Sequence, residues 1–512
     1  MTATSTEDHA VTDTEHDATM RDPAALPWQP RILQGGMGVA VSDWRLARAA
    51  ATSGQMGIVS GTAIGLVMAR RLQLGDEGGH VRRALAALPL PEVAERVLSR
   101  YYVEGGIPEG RPFKAVPAFT PDPKRPLNEL TVAGNFVEVH LAKEGHDGLV
   151  GVNLLHKVRL PTPSSLYGAL LAGVDAVVMG AGIPRDIPRM LDLLAAHLPA
   201  EVPLDLPPAA DGTRRALRFD PADLWDGASP PPPPLRRPPF FAIVSSHTLA
   251  KALAREPVSR PDGFVVEAPI AGGHNAPPRG KGPLDERNQP VYGPRDDADL
   301  TKVAEVGLPF WVAGGYAQPE RLAEALEAGA SGVQLGTAFA FCEDSGIETS
   351  LKRRVHEQIR RGEAEILTDA VASPTGFPFK VATLEGTLSE QEVYEQRGRI
   401  CDLGFLTTPY ERHDGSVGMR CPSEPVDDWV RKGGDIAETV GRKCLCNGLV
   451  ATNGLAQSRP NGDVEPPIIT SGDDLSLVRE LLERHGAEGY RAHHVIEAVL
   501  ARTPALSARG AS

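Results

Sequence analysis

Aromatic residues, cysteines and positive charges are all scarce in this chain of 512 residues. Aromatics make up 5 % of the sequence, there are 5 cysteines, and 53 Lys and Arg stand against 66 Asp and Glu, for a formal net charge of −13. An acidic chain lacks the basic excess that general binding to nucleic acid or to an anionic membrane requires. Five cysteines are too few for a disulfide-based scaffold of this length, and they fit a reducing compartment better.

Long apolar runs are missing as well. No stretch of the sequence approaches the roughly 18 apolar residues that a membrane span needs. The first 25 residues are polar and acidic and lack the apolar centre of a signal peptide. We therefore predict a cytoplasmic protein, with a disordered leader at residues 1–28.

Eight short apolar segments recur along the chain, with helix-like stretches between them. The segments are Arg31–Met37, Met56–Gly61, Leu149–Leu155, Ala176–Gly182, Phe240–Ser246, Gly263–Pro269, Pro309–Gly315 and Gly332–Thr337. Nearly continuous apolar runs are typical of parallel strands that are covered on both faces. We therefore predict an α/β fold, a (β/α)8 TIM barrel over residues 29–345, with a doubly wound open sheet as the alternative.

Two insertions interrupt this rhythm, at about residues 74–129 and 204–239. The second contains the proline run Pro230–Pro234, which should be extended and exposed. After about residue 345 the alternation of strands and helices stops. We predict a Cys-containing, α-rich subdomain over residues 346–460 and terminal helices over residues 461–512.

Glycines follow the last two predicted strands, at the end of a barrel where ligands bind. Gly314 and Gly315 end the seventh strand, and Gly336 and Thr337 end the eighth. Phosphate groups commonly bind in these two loops, and glycine lets the backbone N–H groups approach the phosphate oxygens. The alternative is that these glycines only make tight turns.

A further glycine-rich turn and a lone amide belong to the first and third strands. Gly35, Gly36, Met37 and Gly38 follow the first strand, where the backbone could approach a flat ring or simply need a positive φ. Asn153 lies within an apolar strand, and a polar side chain there needs a partner. An amide offers both a donor and an acceptor to the edge of a flavin.

Taken together, these motifs resemble the nitronate monooxygenase (2-nitropropane dioxygenase) family of FMN-dependent TIM-barrel enzymes. The ordered set is Gln34–Gly38, the strand with Asn153, Ala271–His274, Val312–Gly315 and Gly332–Thr337. The resemblance covers about residues 29–345 and implies bound FMN, with O2 as co-substrate. The implied FMN contacts are Gly35, Gly36, Met37, Gly38, Asn153, Gly273, Gly314, Gly315, Gln334, Leu335, Gly336 and Thr337.

The resemblance also implies that His274 is the catalytic histidine. A histidine at the carboxyl end of a strand, preceded by two glycines, should face the pocket with a pKa near neutrality. It could take the α-proton of a nitroalkane, or bind the nitro group of a nitronate. The alternative is a structural histidine in a loop.

The loop after this histidine departs from the commoner family pattern. Pro277 and Pro278 stiffen it, and Arg279 and Lys281 add positive charge near the pocket. The charges indicate either an acidic or phosphate-bearing substrate, or a solvated basic loop.

The predicted activity is that of a nitronate monooxygenase, which oxidises alkyl nitronates with O2 to a carbonyl compound and nitrite. FMN-dependent enoyl reductases resemble the same barrel and Gly-His motif. The alternative is therefore an enoyl reductase that takes NAD(P)H and an acyl-carrier or acyl-CoA substrate, acting in trans with a fatty-acid or polyketide synthase. A barrel that only binds a partner is a third interpretation. The expected partners are a small-molecule substrate and either a second copy of the chain or a synthase.

Four of the cysteines lie close together in the C-terminal part of the sequence: Cys401, Cys421, Cys444 and Cys446. Four thiolates could hold zinc or an iron–sulfur cluster, but their spacing matches no common signature. Buried cysteines that serve as small apolar core residues are the favoured interpretation. We therefore predict no bound metal.

Overall fold

The computed structural model describes residues 28–209, 211–225, 233–280 and 282–501. Its strands are β1 (Ile32–Gln34), β2 (Gly57–Ser60), β3 (Val150–Leu155), β4 (Ala176–Gly180), β5 (Ala200–Pro203), β6 (Ala216–Phe219), β7 (Phe240–Val244), β8 (Gly263–Glu267), β9 (Phe310–Ala313), β10 (Gly332–Leu335), β11 (Ile366–Asp369), β12 (Phe379–Ala382), β13 (Thr408–Glu411) and β14 (Val417–Arg420). The predicted leader, except Trp28, lies outside these residues, as do Pro230–Pro232 of the proline run and Lys281.

The helices begin and end as follows. They are α1 (Trp44–Thr52), α2 (Ile64–Gln73), α3 (His80–Ala86), α4 (Pro91–Tyr101), α5 (Arg125–Lys143), α6 (Thr162–Leu171), α7 (Ile187–Ala195), α8 (His247–Arg255), α9 (Leu300–Ala304), α10 (Pro319–Glu327), α11 (Thr337–Ala340), α12 (Thr349–Arg361), α13 (Gln391–Gln396), α14 (Val426–Arg431), α15 (Leu445–Ala451), α16 (Ser476–His485) and α17 (Ala492–Leu500). Within the described ranges, none of these helices combines the length and the apolar character needed to cross a membrane.

Eight of the described strands form one parallel sheet in the order β1-β10-β9-β8-β7-β4-β3-β2. Its two outer strands also meet, because Leu33 forms a parallel bridge with Met56. The N–H of Gln34 donates to the carbonyl of Met56 at 2.9 Å, and the N–H of Met56 donates to the carbonyl of Ile32 at 3.2 Å. These bonds close the sheet. The predicted TIM barrel is confirmed, the open sheet is excluded, and each of the eight strands lies within its predicted segment.

Two apolar layers explain why the strand segments read as continuous apolar runs. Successive residues of a strand point to opposite faces, so one set fills the barrel and the other packs under the helices. Inside the barrel, Val265 of β8 is buried with Phe241 of β7 and Trp311 of β9. Outside it, Phe264 and Val266 of the same strand belong to the larger core shared with the helices. Because both faces of these strands are buried, their sequences do not alternate between apolar and polar residues.

Helix starts follow the local sequence signals. Asp43 caps α1, and its carboxylate accepts from the N–H groups of Arg45 at 2.9 Å and Leu46 at 3.4 Å. Pro319 stands at the start of α10, where its missing N–H costs nothing. The first insertion folds into α3 and α4, which pack on α5, and residues of the second form β6, paired antiparallel with β5.

The C-terminal region lies over the carboxyl end of the barrel. It contains helices and two antiparallel ribbons, β11–β12 and β13–β14. It therefore has more β-strand than expected for the predicted α-rich subdomain. Val158, in the loop after β3, shares a small apolar core with Phe379 of β12, Leu445 and Ile468. This core fixes the region against the barrel end where the candidate site lies. The predicted domain boundaries stay predictions.

Candidate active site

A cavity of about 260 Å³ opens at the carboxyl ends of the barrel strands, and we call it the chamber. Every residue predicted for the site lines it: Gly35, Gly36, Met37, Gly38, Asn153, Gly273, His274, Gly314, Gly315, Gln334, Leu335, Gly336 and Thr337. Their side chains and backbone come from five different strand ends. The structure therefore brings the predicted residues together.

The turn after β1 is held against the barrel by buried polar side chains. The hydroxyl of Ser42 donates to the carbonyl of Gly35 at 2.8 Å and accepts from the N–H of Met37 at 2.9 Å. The amide of Asn153 donates to the carbonyl of Gly36 at 2.6 Å. A Cβ on Gly36 would lie 2.3 Å from the Cβ of Asn153, so only glycine lets the turn approach β3 this closely.

Asn153 also leaves one atom unpaired. Its Oδ1 is buried, and no hydrogen-bond donor in the described part of the chain reaches it. A buried acceptor without a partner is costly, so such an atom in a cavity wall is suited to a donor from a ligand. The expectation that this amide meets a bound molecule fits its geometry.

The loops after β9 and β10 form the opposite wall. Gly314 and Gly315 have φ values of +92° and +75°, which L side chains rarely adopt. After β10, the hydroxyl of Thr337 accepts from the N–H of Gly472 at 2.9 Å, which leaves its own hydrogen free to donate. The two loops therefore offer glycine backbone and a hydroxyl to one region of the chamber.

His274 follows β8 on a loop that the C-terminal region braces. The N–H of Gly273 donates to the hydroxyl of Thr470 at 2.9 Å, and its carbonyl accepts from the N–H of Lys380 at 2.9 Å. The Nε2 of His274 lies 2.7 Å from the hydroxyl of Ser373, and its ring packs edge-on against Phe379 at 4.8 Å. The imidazole is thus fixed through one nitrogen.

The electrostatics of His274 differ from the sequence-based expectation. Burial, together with the nearby charge of Lys157, lowers the pKa of His274 to about 4, whereas the sequence predicted a value near neutrality. The reason is the cover that the C-terminal region places over this loop, which removes water from the charged form. At neutral pH the imidazole is therefore uncharged and has a lone pair with which to accept a proton.

Glu267, the last residue of β8, is an ionisable group of the chamber that sequence reasoning missed. Burial raises the pKa of Glu267 to about 7. No hydrogen bond to its carboxyl is formed by the residues that the structure describes. The available signal was a single carboxylate at the end of an otherwise apolar strand, two positions after the inward-facing Val265.

The C-terminal region supplies a roof that the sequence did not reveal. The roof residues are Phe379, Leu449, Thr470, Ser471, Gly472 and Asp474. Lys380 anchors this part through its ammonium group, which contacts the carboxylate of Asp473 at 2.7 Å. Packing between distant parts of the chain brings these residues to the chamber. No local sequence motif therefore marks them.

Arg279 does not line the chamber, and a role for it in binding an acidic substrate stays a prediction. Its guanidinium donates to the backbone carbonyls of Ser245, at 2.8 Å, and Arg295. Its N–H donates to the carboxylate of Asp296 at 2.6 Å. The residue instead holds together the loop between β8 and α9.

The four C-terminal cysteines are free thiols. Contact with Cys421 and burial raise the pKa of the Cys401 thiol, and burial raises the pKa of the Cys444 and Cys446 thiols. Within the described ranges, no three His, Cys, Asp or Glu side chains are arranged to hold a metal ion. The expected lack of a metal stays a prediction that elemental analysis of the purified protein tests.

One family model is similar to part of the chain. Residues 239–369, which include β7 to β11 and His274, match the family model described as nitronate monooxygenase. No curated protein sequence matches the chain.

Solved structures show distant similarities. FabK from Thermotoga maritima is 15 % identical, with 93 % of each chain covered and a TM-score of 0.47. A nitroalkane oxidase from Streptomyces ansochromogenes is 16 % identical, with 92 % of this chain and 95 % of that chain covered and a TM-score of 0.42. The enoyl reductase domain of MlnA from Bacillus amyloliquefaciens is 11 % identical, with 92 % and 93 % covered and a TM-score of 0.45.

The family match and the strand-end chamber support an oxidoreductase of the FMN-dependent class. The matched segment carries the Gly-His motif at residues 273–274 and the glycine-rich ends of β9 and β10. The resemblance of this chain to the nitronate monooxygenase family, predicted from its motifs, is therefore confirmed in the segment that carries His274.

Proposed function

We propose that the chain is an FMN-dependent nitronate monooxygenase, which oxidises alkyl nitronates with O2 to a carbonyl compound and nitrite. One observation carries the proposal. An uncharged imidazole, His274, lies inside the family-matched segment and lines the same chamber as the residues predicted to contact the flavin. An imidazole in that state suits a substrate whose reactive carbon carries an acidic proton or has just lost one.

The residues present fit FMN. The unpaired Oδ1 of Asn153 matches the single N–H donor on the pyrimidine edge of an oxidised isoalloxazine. The close approach of Gly36 to Asn153 leaves a smooth backbone surface for a flat ring. Gly315 and Thr337 would hold the phosphate through backbone N–H groups and a hydroxyl. When bound, FMN accepts the electrons of the substrate and passes them to O2.

The protein's own part is to orient the substrate and to handle its proton. When the Nε2–H of His274 donates to Ser373, the lone pair of Nδ1 is free to take an α-proton from a nitroalkane. A nitronate has already lost that proton, and its negative charge favours the protonated imidazole beside it. Phe379 and Leu449 in the roof exclude water, which strengthens both interactions.

An absorption spectrum of the purified protein, followed by anaerobic titration, tests the proposal. We expect a bound flavin that an alkyl nitronate bleaches by itself, and release of nitrite when O2 is admitted. Bleaching by NAD(P)H but not by a nitronate would instead identify the enoyl reductase. A colourless protein that fails to bind added FMN would indicate a barrel that only binds a partner.

Ser373 provides a prediction about positioning. Ser373→Ala should lower kcat/KM for a neutral nitroalkane by about 10- to 100-fold, because the imidazole loses the bond that sets its orientation. Steady-state rates across pH measure the effect, and the apparent pKa of the rate should shift with it. Ser373→Thr keeps the hydroxyl and should restore most of the rate. A Thr variant as slow as the Ala variant, with unchanged FMN content, would contradict the positioning role.

A further inference from the structure

Glu267 occupies an unusual position in the barrel. Val265, two residues earlier in β8, is buried inside the barrel, so Glu267 lies on the same inward side one layer higher. On β9, Ala313 is the register partner of Glu267, and on β7 the inward Ile243 is the partner of Val265, one layer below. A carboxyl group therefore lies in the floor of the chamber between apolar neighbours.

Three cavities border Glu267. Glu267 lines the chamber, a second cavity of about 440 Å³ beneath Tyr292 and Tyr316, and a third of about 80 Å³ beside Asn275. No donor in the described part of the chain bonds to it. Glu267 therefore borders open space and has no hydrogen-bond partner among the residues that the structure describes.

The charged and titratable groups around these cavities do not neutralise it. They are His274, Asp474, Asp297, Arg321, Tyr316, Arg279, Asp296 and Tyr292. Of the two cations, Arg321 stacks over Tyr316 and pairs with Glu324, and Arg279 bonds to backbone carbonyls. Burial alone raises the pKa of Glu267 to about 7, and no ion pair with a described residue opposes it.

We propose that Glu267 acts as a neutral acid that donates a hydrogen bond from the chamber floor to the acceptor edge of the ring bound above it, so that the ring binds less tightly once the carboxyl has lost its proton. This inference rests on the proposed FMN site. Apart from one N–H, the hetero edge of an oxidised isoalloxazine presents ring nitrogens and carbonyl oxygens. A carboxylate repels these acceptors, whereas a carboxylic acid donates to one of them.

The two ionisable groups of the chamber then have complementary tasks. Burial moves the pKa of His274 down and that of Glu267 up, so near neutral pH the imidazole is an uncharged base and a substantial share of the carboxyl is an uncharged acid. Pairs whose environments move their pKa values in opposite directions are typical acid–base assignments. FMN binding tests the acid because it reports on Glu267 without turnover.

The experiment compares the pH dependence of FMN affinity in the wild type and in Glu267→Gln, which keeps a neutral donor of the same shape. Apoprotein is titrated with FMN, and flavin fluorescence gives Kd at about pH 6 and about pH 8.5. From the lower to the higher pH, the Kd of the wild type should rise by a factor at least about 10-fold larger than the factor for the Gln variant. The reason is that Glu267, with a pKa near 7, loses its neutral form over this pH range. The phosphate of FMN titrates equally in both proteins, so the comparison removes its contribution.

Asp297→Asn is the matched control, because Asp297 borders the second cavity but not the chamber. It should keep the wild-type pH dependence. Parallel curves for the wild type and Glu267→Gln, with FMN bound to both, would overturn this inference and leave the proposed function intact. Failure of FMN to bind the wild type at any pH would overturn both.

A measurement on the wild type alone covers the case in which the Gln variant does not fold. FMN is mixed with apoprotein in weak buffer at about pH 7.5, where its phosphate is almost fully ionised. The proposal expects net proton uptake of a substantial fraction of one proton per FMN, because Glu267 is driven to its neutral form. His274 is already uncharged at this pH and contributes nothing. Zero uptake, or proton release, would overturn the proposal.

Discussion

Replacing His274 with alanine should lower kcat/KM for a neutral nitroalkane by about 10²- to 10⁴-fold, the usual contribution of a positioned general base. The imidazole lines the chamber, is uncharged at neutral pH and has one nitrogen fixed by Ser373. Removing it leaves no comparable acceptor at that point. Nitrite release with a nitroalkane, followed under air at a fixed pH, gives the rate.

The same variant separates two roles for the imidazole. A preformed nitronate has no α-proton left to give, so its turnover should fall by at most about 10-fold if His274 is the proton acceptor. FMN content should stay at the wild-type level. An equal and large loss with both substrates would show that His274 binds the nitro group instead, and an unchanged nitroalkane rate would remove it from the mechanism.

Gly36→Val should abolish FMN binding, with a rise in Kd of at least about 100-fold, since an ordered loop cannot absorb a clash of this size locally. A Cβ at this position would lie 2.3 Å from the Cβ of Asn153 and 2.9 Å from the Cγ2 of Ile58. Neither atom is the far end of a flexible side chain, so the turn after β1 must move away from β3. That movement also breaks the bond from Asn153 to the carbonyl of Gly36.

Flavin fluorescence titration of the apoprotein measures this effect, and a thermal unfolding scan shows whether the barrel remains folded. Gly293→Ala is the control, because a Cβ there would meet nothing within 4 Å. It should bind FMN as the wild type does. Wild-type affinity in a folded Gly36→Val protein would mean that the turn after β1 does not form the flavin surface.

The barrel could be predicted from the sequence because its signals are local. Each strand is a short apolar run whose glycine or small residue marks the end, and Asp43 and Pro319 carry ordinary helix-start chemistry. Residues at strand ends, such as Asn153 and Gly315, followed from the barrel, since all eight strands end at the same face. The barrel topology alone was enough to predict that these strand-end residues line one chamber.

The roof and the protonation states could not be predicted in this way. Ser373 and Thr470 lie 99 and 196 positions after His274, and no periodic pattern links them to it. The predicted pKa of His274 was too high because burial by the C-terminal region is a tertiary effect. The contacts of Arg279 could not be predicted either, because its guanidinium donates to the carbonyl of Ser245 in the loop after β7, a pairing that sequence does not encode locally.

The two bonds of Gly273, to Thr470 and to the N–H of Lys380, make the loop that carries His274 part of the roof. A displacement of the roof that admitted a molecule as large as FMN would therefore carry the imidazole away from the floor with it. The position of the imidazole therefore depends on the roof keeping these contacts with its loop. The contacts that fix the roof over the chamber are the same contacts that hold His274 in place.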